Sequence, residues 1–141
     1  MKKLIFILTI AALSLGIQCK SSAQLIKVGG GAELRTDPPA AFFVKATYNL
    51  DFWDENIGTS IDLMLIPKLE ANLDFHYSFL NDFGIRGYGL AGFNYRTYLG
   101  FNAGAGFMYN INDDFDAFGE VKYVIKNSPE ASIKIGLLYY L

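Results

Sequence analysis

Cysteine and histidine are nearly absent from this chain. Its 141 residues include one cysteine, Cys19, and one histidine, His76. A single cysteine excludes an intramolecular disulfide framework and a multi-cysteine metal site. Long hydrophobic runs are scarce as well, because only residues 4–17 are predominantly apolar. That run of 14 residues is shorter than the roughly 20 that a membrane-spanning helix needs.

The first residues predict export. Lys2 and Lys3 form a basic segment before the apolar run, and Ser21 and Ala23 supply the small residues that signal peptidase reads. Cleavage after Ala23 predicts a signal peptide over 1–23 and a single domain over 24–141. Gln18 stands where lipoprotein processing requires a small residue, which argues against lipidation of Cys19.

The mature chain is acidic. The predicted signal removes three lysines, which leaves nine basic and fourteen acidic residues and a formal charge of −5. The chain therefore lacks the excess of basic residues that a nucleic-acid-binding protein needs, and no nucleic-acid partner is expected.

Alternation with period two runs through most of the mature chain. Residues 69–79 are the clearest case, because the odd positions are apolar and the even positions are polar. Turn-forming residues separate eight such segments. The predicted strands are 25–35, 41–50, 57–66, 69–80, 84–95, 97–110, 115–125 and 131–141, with turns that include Asn81-Asp82 and Asn112-Asp113-Asp114.

The residue types on the two faces decide which face points outward. The apolar face carries many large aliphatic and aromatic side chains, for which an eight-stranded barrel has little room inside. The opposite face combines glycines with charged residues that fit a cramped polar lumen. The inward set of cations comprises Lys27, Arg35, Lys45, Arg86, Lys122 and Lys134, and the inward set of anions comprises Glu33, Asp62, Glu70, Asp74, Asp116 and Glu120. Charges buried inside a protein must be paired. A paired lumen charge network is therefore predicted among eight of these residues: Lys45, Asp62, Glu70, Asp74, Arg86, Glu120, Lys122 and Lys134. The alternative is a soluble barrel with the charged face in solvent.

Aromatic residues recur near the ends of the even-numbered strands. They are Tyr48, Tyr77, Phe79, Phe107, Tyr109 and Tyr139. Strands that alternate in direction would bring them to one rim, as in the aromatic bands of outer-membrane barrels. Lengths of about ten residues also suit tilted transmembrane strands.

With these features the chain resembles the small outer-membrane β-barrels, the OmpX-like and OmpW-like proteins and Bacteroidetes barrels among them. The resemblance spans 24–141. It is carried by the Ala23-Gln24 cleavage site, by the segments 110–115 and 118–123 and by a last strand with apolar alternate residues. That strand ends in Leu141 instead of the usual aromatic residue. The resemblance implies a Gram-negative outer membrane, with outer-membrane lipid, the Sec export pathway and the barrel insertion machinery as partners. Protein partners beyond these are not indicated.

The sequence offers little catalytic chemistry. His76 and Ser78 share a strand face and resemble the His-x-Ser pair of outer-membrane lipid A deacylases, but Arg86 and Asn94 stand on the following strand, where that family has a glutamate. A structural histidine is the favoured interpretation. No catalytic residue, metal site or cofactor is therefore predicted.

The sequence thus predicts an all-β, eight-stranded antiparallel up-and-down transmembrane β-barrel. Its expected role is non-enzymatic and structural or interfacial, with a plugged lumen and at most minor passage of a small solute or a hydrophobic molecule. The alternatives are a soluble periplasmic or secreted lipocalin-like lipid-binding barrel and an outer-membrane lipid hydrolase.

Overall fold

A computed structural model describes residues 26–36, 39–49, 56–66, 69–125 and 128–141. The predicted signal peptide and its cleavage site lie outside these ranges and stay predictions. Parts of four predicted connections, near residues 37, 54, 67 and 127, also lie outside them.

Eight strands form one closed antiparallel barrel, as predicted. Each strand pairs with the next along the chain, and the first strand pairs with the last. Every observed boundary lies within two residues of the predicted one. The strands are β1 (Ile26–Arg35), β2 (Ala40–Asn49), β3 (Ile57–Ile66), β4 (Glu70–Asp82), β5 (Ile85–Tyr95), β6 (Leu99–Asn112), β7 (Phe115–Ile125) and β8 (Glu130–Tyr140).

The connections divide between the two ends of the barrel. We call the end with the connections after β2, β4 and β6 the turn end, and the end with those after β1, β3, β5 and β7 the loop end. Strand β1 begins and strand β8 ends at the turn end, where the Leu141 amide donates to the Ile26 carbonyl at 3.1 Å.

Two hairpin turns differ in detail from the sequence expectation. The prediction of a turn at Asn81-Asp82 was wrong by two residues, because β4 continues to Asp82 and the turn consists of Phe83 and Gly84. Both turn residues have positive φ, 49° and 75°, as a type I′ turn requires. A register shift between Ser78 and Leu80 supplies the extra length. Phenylalanine is a rare residue at positive φ, so no turn signal marked this position.

The β6–β7 turn is shorter than predicted. It consists of Asp113 and Asp114, and Asn112 is the last residue of β6. The Asn112 side-chain oxygen accepts hydrogen bonds from the backbone amides of Asp114 and Phe115, each at 2.9 Å. This local capping by an asparagine side chain stabilises the tight reversal.

The two faces of the sheet are inverted relative to a soluble protein. Outside, Phe42 is 65% exposed and Phe75 is 51% exposed, whereas Lys45 and Lys122 inside are 2% and 1% exposed. The described residues include eighteen buried polar or charged side chains and nine buried apolar ones. The core is therefore mainly polar, and the predicted orientation of the faces agrees with this burial.

Glycines on β1 allow the barrel to close. A Cβ atom at Gly29 or Gly31 would overlap the carbonyl oxygen of Leu137 or Ile135 on β8. Only glycine permits so close an approach of two backbones. The first and last strands can therefore pack tightly at the seam where the barrel closes.

Candidate functional site

The lumen contains a central cluster of seven charged residues. It comprises Lys45, Lys122, Lys134, Glu33, Asp62, Asp74 and Glu120, all of them buried. Cross-strand register brings some of these together, because Lys45 lies opposite Asp62 and Lys134 lies opposite both Glu33 and Glu120. Other contacts cross the barrel between strands that are not neighbours. The cluster therefore links opposite walls of the lumen.

Asp62 is the hub of the central cluster. One carboxylate oxygen lies 2.5 Å from Lys134 Nζ and 3.1 Å from Lys122 Nζ, and the other lies 3.1 Å from Lys45 Nζ. Asp62 is fully buried. A single carboxylate thus holds three ammonium groups in a region of low dielectric, where each attraction is stronger than in water.

The remaining carboxylates complete the pairing of the three lysines. Glu120 lies 2.7 Å from Lys45 Nζ and accepts a hydrogen bond from the Tyr88 hydroxyl at 2.8 Å. Lys122 donates to Asp74, and Glu33 lies 3.7 Å from Lys134 Nζ. Each buried ammonium therefore has at least two carboxylates near it, which offsets the cost of removing it from water.

Aromatic rings fill the space around these charges. Lys134 Nζ lies 5.0 Å from the centre of the Phe43 ring, and Lys45 Nζ lies 5.2 Å from the centre of the Phe118 ring. The two rings pack edge to face at 6.0 Å. Cation–π contacts of this kind add to the ion pairs in the middle of the lumen.

A second layer lies at the loop end. Arg35 Nη1 lies 2.8 Å from Glu70 and 3.4 Å from Glu130. The Asn94 amide donates to Glu70 at 2.6 Å and to Asn72 at 2.8 Å. Side chains from β1, β4, β5 and β8 thus meet across this end of the lumen.

A third layer lies at the turn end. Lys27 Nζ lies 2.6 Å from Asp116, which also accepts hydrogen bonds from the Tyr140 hydroxyl at 3.0 Å and the Asn110 amide at 3.2 Å. Lys27 also lies over the Tyr140 ring, with 4.4 Å between Nζ and the ring centre.

The predicted lumen network divides among these layers. Six of its residues meet in the central cluster: Lys45, Asp62, Asp74, Glu120, Lys122 and Lys134. Glu70 belongs to the loop-end layer with Arg35. Arg86 stands apart, because it is partly exposed and forms no ion pair within the described part of the chain. Tyr88 was not predicted as a partner of Glu120, although its even position on β5 marks it as lumen-facing.

His76 contacts Ser60, and not the Ser78 of the catalytic alternative. His76 Nε2 lies 3.0 Å from the hydroxyl of Ser60 on β3, and its ring stacks on Tyr88 with 4.8 Å between ring centres. Ser60 is 1% exposed. A serine so deeply buried is not accessible to a lipid substrate, so this serine–histidine contact is structural.

A small cavity lies in the lumen near the turn end. Its volume is about 20 Å³, which is room for about one water molecule. Thr47, His76, Ser78, Arg86 and Tyr88 contribute to its lining. The cavity therefore has polar and apolar atoms in its lining, and it is much smaller than a lipid-binding pocket.

The described ranges contain no group of three or more histidine, cysteine, aspartate or glutamate side chains arranged to hold a metal ion. They also contain no helix long and apolar enough to cross a membrane.

Comparison with known proteins identifies the fold. No protein-family model matches the chain, and no curated protein matches it. Among solved structures, it is similar to the N-terminal β-barrel domain of Pseudomonas aeruginosa OprF, with 14% identity, a TM-score of 0.65 and coverage of 84% of this chain and 98% of that chain. The de novo designed barrel TMB2.3 gives 22% identity and a TM-score of 0.67 over 86% of this chain and 98% of that chain. The Yersinia pestis outer membrane protein Ail gives 14% identity and a TM-score of 0.59 over 84% of this chain and 99% of that chain. The chain therefore has the closed eight-stranded antiparallel fold of the small transmembrane β-barrels.

Proposed function

We propose that this chain is a non-enzymatic outer-membrane β-barrel protein with a structural or interfacial role. The observation that carries the proposal is the inversion of its two faces, with large apolar side chains exposed outside and paired charges buried inside. Water would be a poor solvent for the outer face, since soluble monomers rarely expose contiguous apolar patches of more than a few hundred Å². A bilayer is the solvent that this face fits.

The exposed apolar side chains on the outside of the barrel form a belt around it, and this belt has aromatic residues near both of its edges. Tyr77, Tyr109 and Tyr139 are exposed near the turn end, and Tyr95 and Tyr123 are exposed near the loop end. Tyrosine favours the membrane–water interface, where its ring meets acyl chains and its hydroxyl meets water. The loop-end band was not recognised in the sequence. Strands of 10 to 14 residues between such bands are long enough to span a bilayer at a tilt.

The lumen is proposed to be closed to bulk solute. Three layers of paired side chains cross it, and Asp62 alone connects β3 to β2, β7 and β8. Wide aqueous channels belong to barrels of about 16 strands. We expect planar-bilayer recordings of the reconstituted protein to show no porin-sized conductance, and a large stable conductance would contradict the plug.

Export and assembly complete the proposal. The N-terminal segment would direct the chain through the Sec pathway. In the last strand, Ile133, Ile135, Leu137 and Tyr139 are exposed on one face of β8, as suits a strand offered to the barrel insertion machinery and then to lipid. These partners rest on the sequence signals and on the fold.

The geometry does not favour the two alternatives. A lipocalin-like protein needs an apolar interior, whereas the middle of this lumen holds seven charged residues. A lipid hydrolase acting through His76 and Ser78 would need a carboxylate to orient the imidazole, and His76 instead contacts Ser60.

The test of the proposal is heat modifiability. The mature chain from Gln24 is refolded into detergent and into plain buffer, and its gel mobility is compared before and after boiling, with circular dichroism alongside. We expect a β-rich species that requires detergent and shifts on boiling. A monodisperse β-rich monomer in plain buffer would refute the membrane assignment.

A further inference from the structure

We propose that the turn-end cavity binds a small oxyanion, a phosphate or carboxylate group, between Arg86 and the hydroxyls of Thr47 and Ser78. Nothing in the proposed barrel role requires this site. It rests on the side chains that line the cavity, and it can be tested in detergent whether or not the protein carries out a membrane function.

Arg86 supplies the charge. It lies on the lumen face of β5, opposite Asn81 on β4 and Met108 on β6. The other lumen cations, Lys27 among them, are each paired with a carboxylate, whereas Arg86 forms no ion pair within the described ranges. A guanidinium presents a planar fork of N–H donors that matches the oxygens of a carboxylate or phosphate. A partly exposed arginine beside the hydroxyls that line this cavity can therefore receive an anion from solution.

Thr47 and Ser78 supply hydroxyl donors. The Thr47 side chain is 6% exposed and lines the same cavity. Its hydroxyl can donate a hydrogen bond to an oxygen of an anion that Arg86 holds. The Ser78 hydroxyl lines the same space and can also donate.

The size and position of the cavity restrict the ligand. About 20 Å³ accommodates one oxygen atom of an anion rather than a whole organic molecule. Asn49 and Arg86 are partly exposed at its margin, so the rest of the ligand can stay in solvent. The lining hydroxyls and the guanidinium face the lumen, away from the lipid-facing belt. We therefore assign a water-borne oxyanion rather than a headgroup of the surrounding leaflet.

The test uses the mature protein refolded in an uncharged detergent. Inorganic phosphate and acetate are titrated separately at constant ionic strength, against chloride, and the amide resonances of Gly58 and Ser78 are followed by NMR. We expect saturable shifts with at least one of the two oxyanions and not with chloride. R86Q should weaken binding at least about tenfold, and the isosteric T47V about three- to tenfold.

The matched control is R96Q, which removes a partly exposed arginine at the loop end and leaves the cavity intact. It should bind as the unaltered protein does. Heat modifiability checks that each variant folds. If R86Q does not fold, R86K takes its place. Weakened binding is expected for R86K as well, because lysine lacks the planar fork of N–H donors. Shifts that persist in the Arg86 variant, that follow chloride equally, or that are absent with both oxyanions would overturn the site.

Discussion

Replacing Asp62 by asparagine should strongly destabilise the barrel. The substitution preserves size but removes the carboxylate that contacts Lys45, Lys122 and Lys134 within 3.1 Å. Lys45 and Lys122 keep Glu120 and Asp74, whereas Lys134 is left with Glu33 at 3.7 Å. Breaking a buried ion pair by removing one partner costs about 3–5 kcal/mol. We expect D62N to lose free energy of unfolding in this range.

The measurement is urea unfolding of the protein in phosphatidylcholine vesicles, under conditions where refolding is reversible. D114N is the matched control, because Asp114 is exposed in a turn, and its effect should stay within about 0.5 kcal/mol. The double variant D62N/K134M removes the stranded ammonium together with its lost partner. It should recover at least about 1 kcal/mol relative to the sum of the single variants. A D62N loss below about 1 kcal/mol, or strict additivity in the cycle, would refute the hub role of Asp62.

Three further predictions concern the belt, the seam and a turn. F75R places a charge on the exposed belt and should cost about 2–4 kcal/mol in vesicle unfolding experiments if this position lies near the bilayer midplane. G29V should abolish the heat-modifiable species, because its Cβ would overlap the Leu137 carbonyl oxygen; G89V is the control, since a Cβ at Gly89 meets nothing within 4 Å. F83N should stabilise the barrel by about 1 kcal/mol, because Phe83 is 92% exposed at φ 49° and asparagine tolerates that conformation better. An unchanged or lowered urea midpoint for F83N would contradict the turn geometry.

The strands and their faces were predictable from sequence because two signals coincide. Alternation sets the secondary structure, and the bulk of the apolar side chains identifies the face that cannot fit inside eight strands. The turn at Phe83 escaped prediction for a physical reason. A register shift in β4 changes which residues reach the end of the hairpin, and a phenylalanine at positive φ leaves no mark in the sequence beyond the glycine after it.

The pairing of charges across the lumen was less accessible to sequence analysis. Lys122 lies opposite Gly104 and Ser132 in the sheet, yet its carboxylate partners Asp62 and Asp74 lie on β3 and β4. Such contacts depend on strand tilt and stagger, which alternation does not encode. Arg86 was placed in the predicted network for the same reason. Alternation shows that it faces the lumen but does not show how far along the barrel axis it lies from the central cluster.

The inverted pattern changes what specifies the register of the strands. Lipid contacts are non-directional, so sliding β2 against β3 by two residues would keep every apolar side chain outside. That slip would move Lys45 from Asp62 to Ser60 or Met64 and leave buried charges without partners. Unpaired buried charges cost several kcal/mol each, whereas the belt would change little. We infer that the lumen pairs select the register, as an apolar core does in a soluble protein, and that the contacts which specify the fold also close the lumen to solute.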